Sequence, residues 1–117
     1  MASCQFPVIK DVDRNAEDIG HYMEKAAAAS ACLLHASEAC LSGFTSFTDF
    51  DWERLRWNTA CLREMAAALG LWLVLGLAHF LSARSKPANC FYLINPQGAI
   101  VNRYDKSMCT CRDQQHY

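Results

Sequence analysis

Apolar residues recur at helical spacing along two stretches of this chain and cluster in short runs elsewhere. In the first stretch Ile19, Tyr22, Met23, Ala26 and Ala27 share one helix face, and Asp18, His21, Glu24 and Lys25 lie opposite. Asp13 is the expected N-cap, and Glu17 and Asp18 suit the positive end of that helix. The second stretch predicts a helix over residues 51–69, with Leu55, Thr59, Leu62, Ala66 and Leu69 as its stripe and Gly70 as its stop. Trp52 and Trp57 are expected to pack in or beside it. The shorter runs predict strands over residues 2–8, ending at Pro7, and over 31–35, 71–77, 89–94 and 99–104. Asn95-Pro96-Gln97-Gly98 joins the last two as a turn. Strand, helix, strand, helix, strand and hairpin, in that order, predict an α/β layered domain. The hairpin makes the sheet mixed.

Charge adds exclusions. The net charge is −1 and the sequence pI about 6.4. Lys and Arg are scattered, which argues against nucleic acid or an anionic membrane as partner. Residues 65–83 carry no charge and are long enough to span a bilayer. Gly70, Gly76, His79 and Ser82 interrupt them, however, and 71–77 is rich in strand formers. We read a helix end, a glycine stop and a buried strand there, and no membrane span. The cysteines, Cys4, Cys32, Cys40, Cys61, Cys90, Cys109 and Cys111, are odd in number and irregularly spaced. That suits buried thiols in a reducing compartment better than a disulfide framework. Residues 1–8 show no basic segment leading into an apolar run, so the expected location is cytoplasmic.

Two polar residues stand where chemistry collects in α/β sheets, just beyond the carboxyl ends of strands. They are Glu38, in Ser37-Glu38-Ala39-Cys40-Leu41-Ser42-Gly43-Phe44, and Lys106, in Arg103-Tyr104-Asp105-Lys106. Each by itself reads rather as a solvated charge, Glu38 in a loop and Lys106 at a strand end. Cys109-Thr110-Cys111 with His116 hints at zinc, but a structural site wants four ligands at better spacing, so no metal is expected. His35, at the end of an apolar run, reads as an interior histidine. No phosphate loop, Ser-His-Asp arrangement or dinucleotide fingerprint is present.

Taken jointly, these segments resemble the nitrilase superfamily of carbon–nitrogen hydrolases. Glu38-x-x-Leu41-Ser42-Gly43 is similar to its glutamate motif. Arg103-Tyr104-Asp105-Lys106 is similar to its lysine motif, preceded by a strand, an Asn-Pro-x-Gly turn and another strand. Asn15, Gly76 and Asn89 also fall where the family pattern puts them, so the resemblance covers almost the whole chain. It implies a four-layer α-β-β-α sandwich, to which this chain contributes a mixed sheet and two main helices. It implies hydrolysis of non-peptide C–N bonds in a small nitrile or amide through a Glu-Lys-Cys triad, with no cofactor. Glu38 would be general base and Lys106 would stabilise the tetrahedral intermediate. Homo-oligomers or self-association are expected.

The departures are specific. The family's nucleophilic cysteine lies some tens of residues beyond the lysine, whereas this sequence ends about eleven residues past Lys106. Cys109 and Cys111 are too close to Lys106 to take that role. Residues 1–117 are therefore expected to be the N-terminal portion of a hydrolase domain, lacking the nucleophile and inactive alone. Phe44 stands where the family commonly has tyrosine. Two rival readings are a catalytically silent homologue held by a partner, and an unrelated α/β binding module with ordinary surface charges.

Overall fold

The computed structural model describes residues 1–111 and 113–117. Its elements are β1 (Ala2–Cys4), α1 (Val12–Ala28), β2 (Leu33–Ala36), α2 (Trp52–Leu69), β3 (Trp72–His79), β4 (Ala88–Ile94), β5 (Ile100–Asp105) and a short α3 (Asp113–His116). They form one mixed five-stranded sheet in the order β1-β2-β3-β4-β5. β1, β2 and β3 run parallel; β4 is antiparallel to both β3 and β5. The α/β class and the mixed sheet are as the sequence predicts.

Both long helices form where the apolar stripes place them, with local corrections. The N-cap of α1 is Asp11, not Asp13: its carboxylate accepts from the Asp13 and Arg14 amides at 3.0 and 3.2 Å. Asp13 in the first turn reaches across to α2 instead, taking Arg54 Nε at 2.6 Å and Asn58 Nδ2 at 2.7 Å. α2 starts from Asp51, which accepts from the Arg54 amide at 2.8 Å, and stops at Gly70 with φ 62°. β1 ends at Cys4, short of residue 8. β2 starts two residues late because the Ala31 amide still closes the end of α1 on Ala26 O, at 2.9 Å. The uncharged stretch 65–83 becomes the end of α2, its glycine stop and β3, and no helix among the described residues is long and apolar enough to cross a membrane.

The sheet has two unlike faces. Leu34, Leu73, Leu75, Leu77 and Ile94 are buried in one cluster with Ile19 and Met23 of α1 and Leu55 and Leu62 of α2. Burying each such side chain contributes roughly 1.5–3 kcal/mol. Alternate residues point the other way. On that face Leu33 pairs with Trp72, His35 with Val74, Val74 with Leu93, and Phe91 with Tyr104. None of these seven is buried, and His35 is exposed, stacked on the Phe91 ring at 5.8 Å. His35 is therefore not an interior histidine. Trp52 is half-buried, whereas Trp57 on the same helix is 65% exposed. Of the cysteines, Cys4, Cys40 and Cys90 are buried, while Cys32, Cys61 and Cys111 are exposed, so the expectation of buried thiols holds for only part of the set.

Candidate functional site

Strand directions decide what can meet. β5 is antiparallel to β4 and β4 to β3, so β5 runs the same way as β3 and β2. The residues after β2 and β5 and the first residues of β4 therefore share one end of the sheet. Glu38, Lys106 and Asn89 come from these three places.

The Glu38 turn is held from several sides. Ala39 takes a positive φ of 51°, unusual for a residue with a side chain. The Cys40 amide closes the turn on Ser37 O at 3.3 Å, and the Leu41 amide reaches Gly76 O at 3.1 Å. Ser42 Oγ accepts from the Ala78 amide at 2.9 Å, binding the segment to β3. From α1 the buried Asn15 donates to Leu41 O at 3.1 Å and to Ile9 O at 2.7 Å, and accepts from the Ile9 amide at 3.1 Å. Gly76 lets the turn settle on β3: a Cβ there would lie 2.3 Å from Ser37 O.

Glu38 and Lys106, 68 positions apart, meet directly. Lys106 Nζ donates to Glu38 Oε1 at 2.7 Å, and Asn89 Nδ2 donates to the same oxygen at 2.6 Å. The Lys106 amide also donates to Asn89 O at 2.8 Å, tying the lysine's backbone to β4. A third charged group joins them. Asp113 Oδ2 accepts from Lys106 Nζ at 2.7 Å and from the Thr110 amide at 2.8 Å. Thr110-x-x-Asp113 has the spacing of a helix capping pair, which is the one trace of it in the sequence. The Asp113 and Glu38 carboxylates, in that order, push the Lys106 ammonium's pKa well above its ordinary value. In turn Lys106, helped by the Thr110 amide, lowers the Asp113 carboxyl to about 2.

The sign of that shift gives an acid test. Because the folded value lies below the unfolded one, near 3.9, the stabilisation is present above pH 4 and is lost as pH falls towards about 2. In Asp113→Asn this part of the acid sensitivity is expected to disappear, so wild type and variant should differ most above pH 4 and converge near pH 2. Urea unfolding between pH 5 and 2 measures it; parallel stability curves would contradict it.

Other chemistry is sparse. Burial pushes the Cys40 and Cys90 thiols up to about 12, which leaves them inert as thiolates. Among the described residues no three His, Cys, Asp or Glu side chains converge as metal ligands.

A carbon–nitrogen hydrolase family model matches residues 1–116. No curated protein matches the chain. Among solved structures, it is similar to an amidase from Nesterenkonia sp. (19% identity, TM-score 0.85, covering 98% of this chain and 44% of that one). It is also similar to a mutant of the Nesterenkonia sp. AN1 amidase, from a complex with butyramide (18%, TM-score 0.86, 99% and 46%). The C. elegans NitFhit protein aligns with 22% identity and a TM-score of 0.73, over 92% of this chain and 27% of that one. The chain thus spans less than half the length of each of these structures.

Proposed function

Since the chain belongs to the carbon–nitrogen hydrolase family, we propose that Glu38 and Lys106 are the base and the cation of a Glu-Lys-Cys triad hydrolysing a small amide or nitrile. The cysteine nucleophile is not among residues 1–117. The observation that carries this reading is the Glu38–Lys106 contact of 2.7 Å at the carboxyl end of the sheet, with Asn89 on the same carboxylate oxygen.

The chemistry follows from the groups. For an amide, Glu38 takes the proton of the attacking thiol as the C–S bond forms, and the carbonyl electron pair moves to oxygen, where a Lys106 N–H meets the charge. When the C–N bond breaks, the nitrogen leaves with the proton Glu38 had stored. Water, deprotonated by Glu38, then attacks the thioester, and the carboxylic acid and the thiol separate. Asn89 holds the carboxylate in one rotamer throughout.

Butyramide is a suitable probe, being the ligand named for one amidase of this fold. With the 117-residue chain alone, we expect binding without turnover: millimolar butyramide should shift the Asn89 side-chain and Lys106 resonances, and no ammonia should form. Lys106→Met should abolish those shifts. Turnover that survives Glu38→Gln, or shifts confined to another part of the surface, would remove the reading.

The uncovered face of His35, Val74, Phe91 and Leu93 favours a second reading, a silent homologue that functions bound to a partner. Such faces drive association. The isolated chain is expected to self-associate or bind an apolar dye. A monodisperse monomer, dark with the dye and cooperative in unfolding, would count against it.

A further inference from the structure

The helix layer is narrower than the sheet beneath it. Helix axes pack about 8–10 Å apart and strands about 4.8 Å, so two helices cover roughly four strands. This sheet has five. β5 is the strand left over, and all six of its residues are exposed. Between α2 and the β4–β5 hairpin this leaves a cleft of about 350 Å³. Tyr92 and Ile100 form its floor; they pair with Leu75 and Ile94 of the core, so they face the helices. Asn89, which holds Glu38, belongs to the alternate set of β4 residues and faces the other way. The cleft is therefore separate from the Glu38–Lys106 centre.

Its lining combines two kinds of group. Trp52, Arg56, Ala60 and Arg63 follow one another along one side of α2, about 16 Å from first to last. Trp52 meets Phe80 at 5.3 Å between ring centroids, which makes one end aromatic. Ala60, in the middle, is too small to fill the space. The cations are uncommitted. Arg56 is exposed and has no partner among the described residues, and Arg63 uses only Nε, on Gly98 O at 2.7 Å. No Asp or Glu lines the cleft, and the Tyr92 hydroxyl and His79 Nδ1 satisfy each other. Small-molecule sites are of this kind: mostly apolar, with a few polar groups that fix orientation. A guanidinium selects a carboxylate. A cavity of about 150 Å³ holds one benzene ring, so this one takes a body of roughly two fused rings. We propose that the cleft between α2 and the β4–β5 hairpin binds a small aromatic carboxylate, with its rings beside Trp52 and Phe80 and its anion on Arg56.

Naphthoate is the probe, and naphthalenemethanol, with the same rings and no charge, is the control. Titration of the 117-residue chain followed by NMR should show naphthoate shifting Ala60, Tyr92 and Ile100. Binding at about 1 mM or tighter is expected, as is ordinary for a ligand with so few atoms. The alcohol should bind about tenfold more weakly, because it lacks the charge-assisted contact. Arg56→Gln changes an exposed side chain that holds nothing else. It should bring the acid down to the affinity of the alcohol and leave the alcohol unchanged. Ala60→Leu fills the cleft, and neither compound should then bind. Equal affinity for acid and alcohol in wild type overturns the proposal, as does an Arg56→Gln variant that binds the acid undiminished. Shifts confined to His35, Val74 and Phe91 would place the ligand on the uncovered face and overturn it too. So would binding that survives Ala60→Leu, or no shift at all.

Discussion

Replacing Gly76 with alanine is expected to cost about 3 kcal/mol, a large part of the roughly 5–15 kcal/mol that holds a domain of this kind together. The added Cβ would lie 2.3 Å from Ser37 O, 2.8 Å from Ala39 N and 3.0 Å from Glu38 Cα. All three are backbone atoms, so no side-chain rotation relieves the clash. Either β3 shifts against β2, or the Glu38 turn lifts away and takes the carboxylate from Lys106 and Asn89. Gly70 is the control. It has a positive φ but nothing within 4 Å of an added Cβ, so Gly70→Ala should lose only about 1 kcal/mol. Urea unfolding of the two variants compares them; a loss at Gly76 no larger than that at Gly70 would mean that the backbone around Ser37 and Ala39 yields and the close approach there costs little.

Asn15→Ala comes second, at about 3 kcal/mol. Asn15 is fully buried and makes three hydrogen bonds, two to Ile9 and one to Leu41 O. Alanine leaves one amide and two carbonyls short of a partner, each costing about 1–3 kcal/mol, partly relieved by water entering the space. Asn15 is also the strut by which α1 holds the segment after Glu38. Amide exchange should therefore accelerate at Leu41 and Gly43, which bond to Gly76 O and Ala39 O, more than at Leu75 in the sheet centre. Uniform acceleration across the chain would show Asn15 to be a general packing residue with no special hold on the turn.

How much of this was legible depended on whether the signal repeated. Both helices and the central strand declare themselves through apolar positions that recur several times, so errors fall at the ends. Asp11 and Asp13 are both suitable caps two residues apart, and the engagement of Asp13 by Arg54 and Asn58 of α2 is not visible along the helix itself. β1 and β2 have three and four residues, too few to show a period, so the side of the sheet that His35 takes is not legible along the chain. Glu38 and Lys106 could be singled out as strand-end residues. Their meeting depends on β5 running parallel to β2, which is a property of the whole sheet. Asn15 interrupts the apolar stripe of its helix, and its burial becomes intelligible only once Ile9 and Leu41 are seen around it. Asp113 lies in a segment with no periodicity and is defined by what it touches.

The identity of spatial and sequence order in the sheet has a consequence for biosynthesis. Each strand after the first pairs with the one made just before it, so during translation every new strand finds its partner already present. None waits with both edges open for a later segment, the situation that exposes nascent chains to intermolecular pairing. The connections are short in the two hairpins, residues 80–87 and 95–99. Those between the parallel strands are longer and each contains a helix, and the entropic cost of closing a loop rises only slowly with its length. Lys106 follows the last strand, so its contact with Glu38 cannot form until the other pairings are possible. A polysome-bound chain should thus gain protease resistance strand by strand, and the Glu38–Lys106 contact should form only after all five strands of this sheet have been made.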